Sequence, residues 1–367
     1  MTSRLQVVDG DGHLVTDIAA VASRMPQEFL NRAGGSSLGN IFPPIDHLHA
    51  AQPVATPPGS FPKIGVEEWL MFMDEVGIDC AALFPTGGLS YGRIVNRDWA
   101  IAVCRAYNDW LYDTYVKSSP RFVGLALIPM QEPEEAAIEL RRSVEELGMA
   151  GAMLPTRGLP NHLGAKEYWP VYEEADRLGC CLAVHGGSHS GMGFDHLNVY
   201  APVHAMGHPV GLMAAFAGVV FNGILDRYPN ARWGFLEGGV AWFMLCMERF
   251  DRSYETHIDL DPRGELLQLR DGERVSDYIL RHIHDGRLFV GCEGTEPLIS
   301  EALRLTSGKC FVFSSDFPHE VNAEICKHEL SEIYENSKIT GEERTGVLSE
   351  NARALYGRPV AAGLQAR

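Results

Sequence analysis

Val7-Val8-Asp9-Gly10-Asp11-Gly12-His13 decides the reading of this chain. Arg4 to Val8 predicts a short, mostly apolar strand that runs straight into Asp11-Gly12-His13. In extended chain, residues i and i+2 point to the same side, so a carboxylate and an imidazole at one strand end can grip a single cation. Three later stretches repeat the form, an apolar run ending in a ligand-type side chain beside Gly or Pro: Val184-His185-Gly186-Gly187, Phe235-Leu236-Glu237-Gly238-Gly239 and Phe313-Ser314-Ser315-Asp316-Phe317-Pro318-His319. Strand ends that converge on a metal are what a parallel barrel produces.

Outward from these stretches the pattern alternates. Continuous apolar strands are predicted at Cys80–Phe84, Phe122–Pro129, Ala150–Pro155, Cys180–His185, Ala231–Leu236, Leu288–Gly291 and Cys310–Ser315. Helical spacing falls between them at Val66–Val76, Asp98–Val116, Glu132–Leu147, Lys166–Leu178, Val210–Leu225, Val240–Tyr254, Pro297–Leu305 and Glu320–Asn336. Strands apolar on both faces, alternating with helices, argue for a parallel sheet covered on both sides. With the first strand they make eight units, so the expected fold is α/β, a (β/α)₈ TIM barrel forming one domain over residues 1–367. A long loop insertion after the first strand, residues 14–63, is punctuated by Gly34-Gly35-Ser36-Ser37, Pro43-Pro44 and the prolines from Pro53 to Pro62, and reads as a lid or wall. A C-terminal helix, Glu342–Tyr356, closes the chain.

Composition narrows the partners. A formal charge of −17 argues against nucleic acid or an anionic membrane. Met1–Gly10 lacks the apolar core of a signal peptide, and the longest apolar run, Leu212–Phe221, is too short to span a bilayer. Eight scattered cysteines without a CxxC pair read as reduced thiols of a cytoplasmic protein. The expected partner is a small-molecule substrate, and a homodimer is the default oligomer.

The site of such a barrel lies at the carboxyl ends of its strands. The ligand-type residues there are Asp11 and His13, His185, Glu237, Glu293 and Asp316, with His208 on the same rim before Pro209 and the following helix. Taken singly each has a plainer role. A lone histidine after a strand is more often a hydrogen-bonded structural group than a ligand, Asp316 can cap the next helix, and Glu237 can sit at a helix N-terminus. Asp9 can bond backbone at the strand end, and His319 can orient the Asp316 turn from the outer shell. Their shared placement argues for a metal set of Asp11, His13, His185, His208, Glu237 and Asp316, with Asp316, Glu237 and His208 as acid–base groups. The glycine-rich loop Gly186–Gly207 carries Ser188, His189, His196 and His204 beside that rim. His189, His196, Trp242 and Glu293 are the candidate substrate contacts, although a solvated loop and a core tryptophan are the plain alternatives.

These motifs, together with Ile224–Gly239, Glu248-Arg249-Phe250-Asp251 and Gly291–Glu296, resemble the amidohydrolase-related family. This is the branch of the metal-dependent amidohydrolase superfamily that includes aminocarboxymuconate semialdehyde decarboxylase. The resemblance covers most of the chain and implies Asp11, His13, His185 and Asp316 as metal ligands. It departs in two places. The decarboxylase branch has His-x-His on the first strand where this chain has Asp11-x-His13, and a histidine on the sixth where this chain has Glu237. The resulting mixture of imidazoles and carboxylates suits a divalent metal, whether zinc, manganese or iron, the last as one ion or two. The expected activity is hydrolysis or nonoxidative decarboxylation of a small organic, cyclic or aromatic substrate. The alternative is a non-haem di-iron oxygenase, a hydroxylase, on the same Asp/His/His/Glu/Asp site.

Overall fold

A computed structural model describes residues 5–32, 41–48, 57–258 and 266–365. Its strands are β1 (Val8–Leu14), β2 (Cys80–Pro85), β3 (Phe122–Leu127), β4 (Gly151–Pro155), β5 (Cys181–His185), β6 (Arg232–Leu236), β7 (Leu288–Cys292) and β8 (Phe311–Phe313). Neighbours pair in parallel in chain order. The segment after β8 completes the barrel on its carboxyl side: Asp316 N donates to Asp11 O at 3.0 Å and His13 N to Phe317 O at 2.7 Å. Nearly every strand residue is buried, as expected for a sheet with side chains packed on both faces. The barrel expected from the apolar alternation is therefore the fold.

β1 begins at Val8 and runs through the Asp/Gly stretch rather than ending before it. The glycines permit this by omission: a Cβ on Gly12 would lie 2.4 Å from the indole of Trp69. Asp9 is fully buried and does bond backbone, accepting from Ser315 N at 2.9 Å and Ser315 Oγ at 2.6 Å, which clamps β1 to the end of β8.

Other boundaries moved for identifiable reasons. The helix expected to start at Val210 starts at Tyr200 and continues to Phe221, so His204 and His208 are helical rather than in a loop. Pro209 reads as a helix start but here sits inside the helix, where its missing N–H removes one bond without stopping the run. At 22 residues this helix is long and apolar enough to cross a membrane by length and composition, unlike the shorter run read from the sequence. Its apolarity has a local explanation, because Val203, Leu212, Phe216, Val219 and Val220 are buried in the shell of the barrel. The insertion is not all loop: it contains helices Ile18–Ala22, capped by the Asp17 side chain, and Gln27–Arg32. Gly34-Gly35-Ser36-Ser37 and Pro53 lie outside the described residues. Helix Val275–His284, before β7, was not anticipated, and after Tyr356 a further helix spans Arg358–Gln365. All eight cysteines are buried and free.

Candidate metal centre

Strand ends bring the anticipated ligands together. From β1, Asp11 and His13 project to the same side; from β5 comes His185; from the turn after β6, Glu237; from the turn after β8, Asp316. His185 Nε2 lies 3.3 Å from Asp11 Oδ1, and His13 Nε2 lies 3.7 Å from the same oxygen and 3.5 Å from Asp316 Oδ1. Ligand atoms of Asp11, His13 and His185 fall within 4.8 Å of one another, as do those of His13, Glu237, Asp316 and His319. His13 thus belongs to both groups. His208, on the Tyr200–Phe221 helix, brings Nδ1 to 3.3 Å from Glu237 Oε2, which is also 3.2 Å from His185 Nδ1.

The donor atoms pass a physical test of fitness for a cation. Asp11 Oδ1, His13 Nε2, His185 Nε2 and Glu237 Oε2 are buried and make no hydrogen bond among the described residues. Burying such atoms unpaired costs free energy, and a shared cation would satisfy them. The backbone is also held in an uncommon state there. Glu237 and Asp316 have φ of 60° and 54°, a left-handed conformation that non-glycine residues rarely adopt.

Electrostatics follow from this crowding. Burial, reinforced by His319 and His185, holds His13 well below the ordinary histidine range, so it is a neutral imidazole. Burial acts the same way on His185, but Asp11 and Glu237 outweigh it and raise His185 to about 10. Burial raises the Glu237 carboxyl well above the usual range, against the pull of His185 and with help from Asp316 and Asp11. Asp316 is raised by burial and by Asp11, although His319 pulls it down.

The outer groups are specific. His319 Nδ1 faces Asp316 Oδ1 at 3.0 Å and its Nε2 faces Thr86 Oγ1 at 2.8 Å, so His319 orients the Asp316 turn as anticipated. Glu296 takes the Val240 N–H at 2.6 Å and the Glu293 N–H at 2.7 Å, tying the turn after β6 to the one after β7. Sequence reading missed both Thr86 and Glu296. Glu296 stands three residues after Glu293 in a segment already singled out, and that spacing was its only signal.

Of the candidate substrate contacts, Glu293 lines a cavity of about 270 Å³ with His204, His208, Glu237, Glu296 and Asp316. His189 is buried behind His208, their rings 4.7 Å apart and edge to face. His189 therefore does not line the cavity, and two further expectations need correction. His196 is exposed on the loop and joins neither ligand group nor the cavity lining, because the chain turns outward after Gly191. Trp242 is buried against Phe216, Phe235 and Phe243, where its size fills the shell instead of the cavity.

Comparison with known proteins gives a consistent picture. A family model described as amidohydrolase matches residues 8–358. A 2-amino-3-carboxymuconate-6-semialdehyde decarboxylase from Dictyostelium discoideum is 26% identical over 54% of this chain and 53% of its own length, so that match spans about half of each protein. A gamma-resorcylate decarboxylase from Rhodococcus jostii is 27% identical over 78% of this chain and 86% of its own. The structure of a 5-carboxyvanillate decarboxylase from Novosphingobium aromaticivorans, complexed with manganese and 4-hydroxy-3-methoxy-5-nitrobenzoic acid, superposes with a TM-score of 0.70. It is 17% identical, over 96% of both chains.

Proposed function

The chain belongs to the amidohydrolase family, and from that premise we propose that it is a metal-dependent enzyme that removes carbon dioxide from a small aromatic acid without oxidation. The observation that carries the proposal is the placement of Glu237: a largely buried carboxyl, raised above the usual range by that burial, that faces the cavity 3.3 Å from His208 Nδ1 and beside the ligand atoms of Asp11, His13 and His185. The named relatives, all decarboxylases of unsaturated or aromatic acids, support it. The di-iron oxygenase expectation has no support among them.

Asp11, His13 and His185 would hold the cation, with Asp316 joined to that set through its 3.5 Å approach to His13 and Glu237 beside it. When bound there, a divalent cation supplies positive charge that fixes and polarises an anionic substrate oxygen. The residues do the rest. Glu237 holds a proton at its carboxyl oxygen and presents it to the ring carbon that bears the carboxylate. Once that carbon is protonated, the carbon–carbon bond breaks, its electron pair returns to the ring, and carbon dioxide leaves. Glu237 ends as a carboxylate, and His208 Nδ1, 3.3 Å away, stands where it can return a proton. The cavity, about 270 Å³, has room for a single ring beside Glu237, His208 and Asp316.

The test is carbon dioxide release by the manganese- or zinc-loaded protein from 2,6-dihydroxybenzoate, 5-carboxyvanillate and related hydroxybenzoates. Turnover that falls about 10²–10⁴-fold in Glu237→Gln with metal retained is expected. Absence of release from every aromatic acid, with turnover of an ester, amide or lactone instead, would overturn decarboxylation in favour of hydrolysis.

A further inference from the structure

The insertion after β1 contributes a buried group that reaches the centre. One of its described parts, residues 41–48, is fastened along the barrel rim by backbone carbonyls: Ile41 O accepts from Trp99 Nε1 at 3.3 Å, Pro44 O from Arg93 Nη1 at 2.6 Å, and Ile45 O from both Ser188 Oγ at 3.2 Å and His189 N at 3.1 Å. His47 Nε2 adds a contact to Leu197 O at 2.9 Å. Among these tethers one is different in kind. Asp46 Oδ2 lies 2.9 Å from His189 Nδ1, and the exposures are 4% for Asp46 and 1% for His189, so this is an acid–imidazole pair sealed from solvent. Asp46 Oδ1 accepts the Leu48 N–H at 2.7 Å, which fixes the plane of the carboxylate.

His189 continues the line inward. Its ring packs on Gly207 of the Tyr200–Phe221 helix, where a Cβ would come within 2.3 Å of His189 Nε2. It stands edge to face with His208 at 4.7 Å, and His208 in turn faces Glu237. We propose that Asp46 is a positioning residue of this centre: through its buried bond to Nδ1 it sets the tautomer and orientation of His189, and the His189 ring holds His208 opposite Glu237. An ionised Asp46 makes Nδ1 the protonated nitrogen of His189. The insertion is then part of the catalytic apparatus, not only a wall beside it. The catalytic half of this inference rests on the proposed role of Glu237 and His208; the tautomer half does not.

The experiment separates the two halves. Nitrogen-15 NMR of the metal-free, histidine-labelled protein reads the His189 tautomer without any substrate. The wild type is expected to show protonated Nδ1. In Asp46→Asn one carboxylate oxygen becomes an NH₂ group. Because Leu48 N–H needs the remaining oxygen, the amide turns its N–H to His189 and the tautomer flips to Nε2–H. The same variant, manganese-loaded, is expected to lose about 10–100-fold in kcat at nearly unchanged KM, the usual scale for an outer-shell partner, and Asp46→Glu to recover part of it. His47→Ala cuts another tether of the same segment without touching His189, and keeps wild-type kcat. An Asp46→Asn protein with the wild-type tautomer would overturn the inference, as would equal losses of kcat in Asp46→Asn and His47→Ala. Should Asp46→Asn lose its folding transition, the comparison of Asp46→Glu with His47→Ala decides on the same two readouts.

Discussion

Gly186→Ala is the sharpest test of how the centre is built, because one methyl group is aimed at one ring. Gly186 follows the ligand His185, and a Cβ there would lie 1.7 Å from His208 Nδ1 and 2.5 Å from its Cγ. The φ of Gly186 lies outside the left-handed region, so alanine meets no backbone strain and the conflict is purely with the ring. Ordinary contact begins near 3.4 Å, so His208 must retreat by about 1.7 Å along that line. Its 3.3 Å approach to Glu237 Oε2 is then lost beyond hydrogen-bonding range. The steric conflict costs about 1–3 kcal/mol of stability, within what a folded domain of about 5–15 kcal/mol tolerates. Activity should fall further than stability, since a misplacement of about 1 Å at a reacting group can cost about 10²-fold, or about 2.7 kcal/mol of barrier. The assay is kcat/KM for carbon dioxide release alongside metal content and thermal unfolding. Gly341→Ala, where an added Cβ meets nothing, is the control. A Gly186→Ala enzyme with full metal content and at least half the wild-type kcat/KM would refute the placement of His208 in the machinery.

Other consequences can be checked on the purified protein. Asp9→Ala leaves the buried Ser315 N–H and Oγ–H without their acceptor and should cost about 2–4 kcal/mol in a denaturant titration, with β1 and the end of β8 losing hydrogen-exchange protection first. Glu329 is buried and its carboxyl is raised to about 8 by desolvation and by Glu293, Asp316 and Asp9. Because the folded value exceeds the unfolded one, the unfolded chain ionises first. The metal-free protein should therefore lose stability as pH rises from about 4.5 to 8, and Glu329→Gln should flatten that slope. A wild-type melting temperature independent of pH over that span would count against it. His185, held protonated up to about 10, must lose its proton to bind a cation, so manganese affinity should rise with pH through neutrality and calorimetry in buffers of different ionisation enthalpy should detect proton release. Affinity unchanged from pH 6 to 8 would refute the coupling of metal binding to loss of the His185 proton.

How far the sequence could be read depended on whether the signal was local. β2 to β8 were legible because each is a short run apolar on both faces, and the ligand-type residues after β5 to β8 stood out near Gly or Pro. Helix Val66–Val76 was found to the residue because Gly77 ends it in a left-handed conformation that Gly adopts freely. The start of the Tyr200–Phe221 helix was missed because Gly207-His208-Pro209 looks like a helix boundary, yet packing of Val203 and Leu212 in the shell outweighs the bond that Pro209 removes. Asp46 could not be read at all. It lies 143 residues from His189, in a proline-rich stretch with no periodicity, and only the closed fold makes the pair. His196 and Trp242 erred in the opposite direction: both have suitable chemistry in a suitable stretch, and neither reaches the cavity.

The two departures from the decarboxylase branch that this chain resembles act in the same direction. Asp11 and Glu237 each put a carboxylate where that branch has a histidine, and with Asp316 they crowd three acids around His13 and His185. Without a cation, Asp11 and Glu237 raise His185 to about 10, while burial first, and then Asp316 and Asp11, raise Glu237 well above the ordinary range. A cation entering the Asp11, His13 and His185 group must displace the His185 proton, because His185 Nε2 is a ligand atom there. Glu237 belongs to the second group, where its Oε2 faces both His185 and His208. Two carboxylates and two imidazoles suit a divalent cation, whether manganese, zinc or iron. In the decarboxylation proposed above, Glu237 takes the part of the acid: a neutral carboxyl can donate a proton as an imidazolium does, and burial is what favours its neutral form.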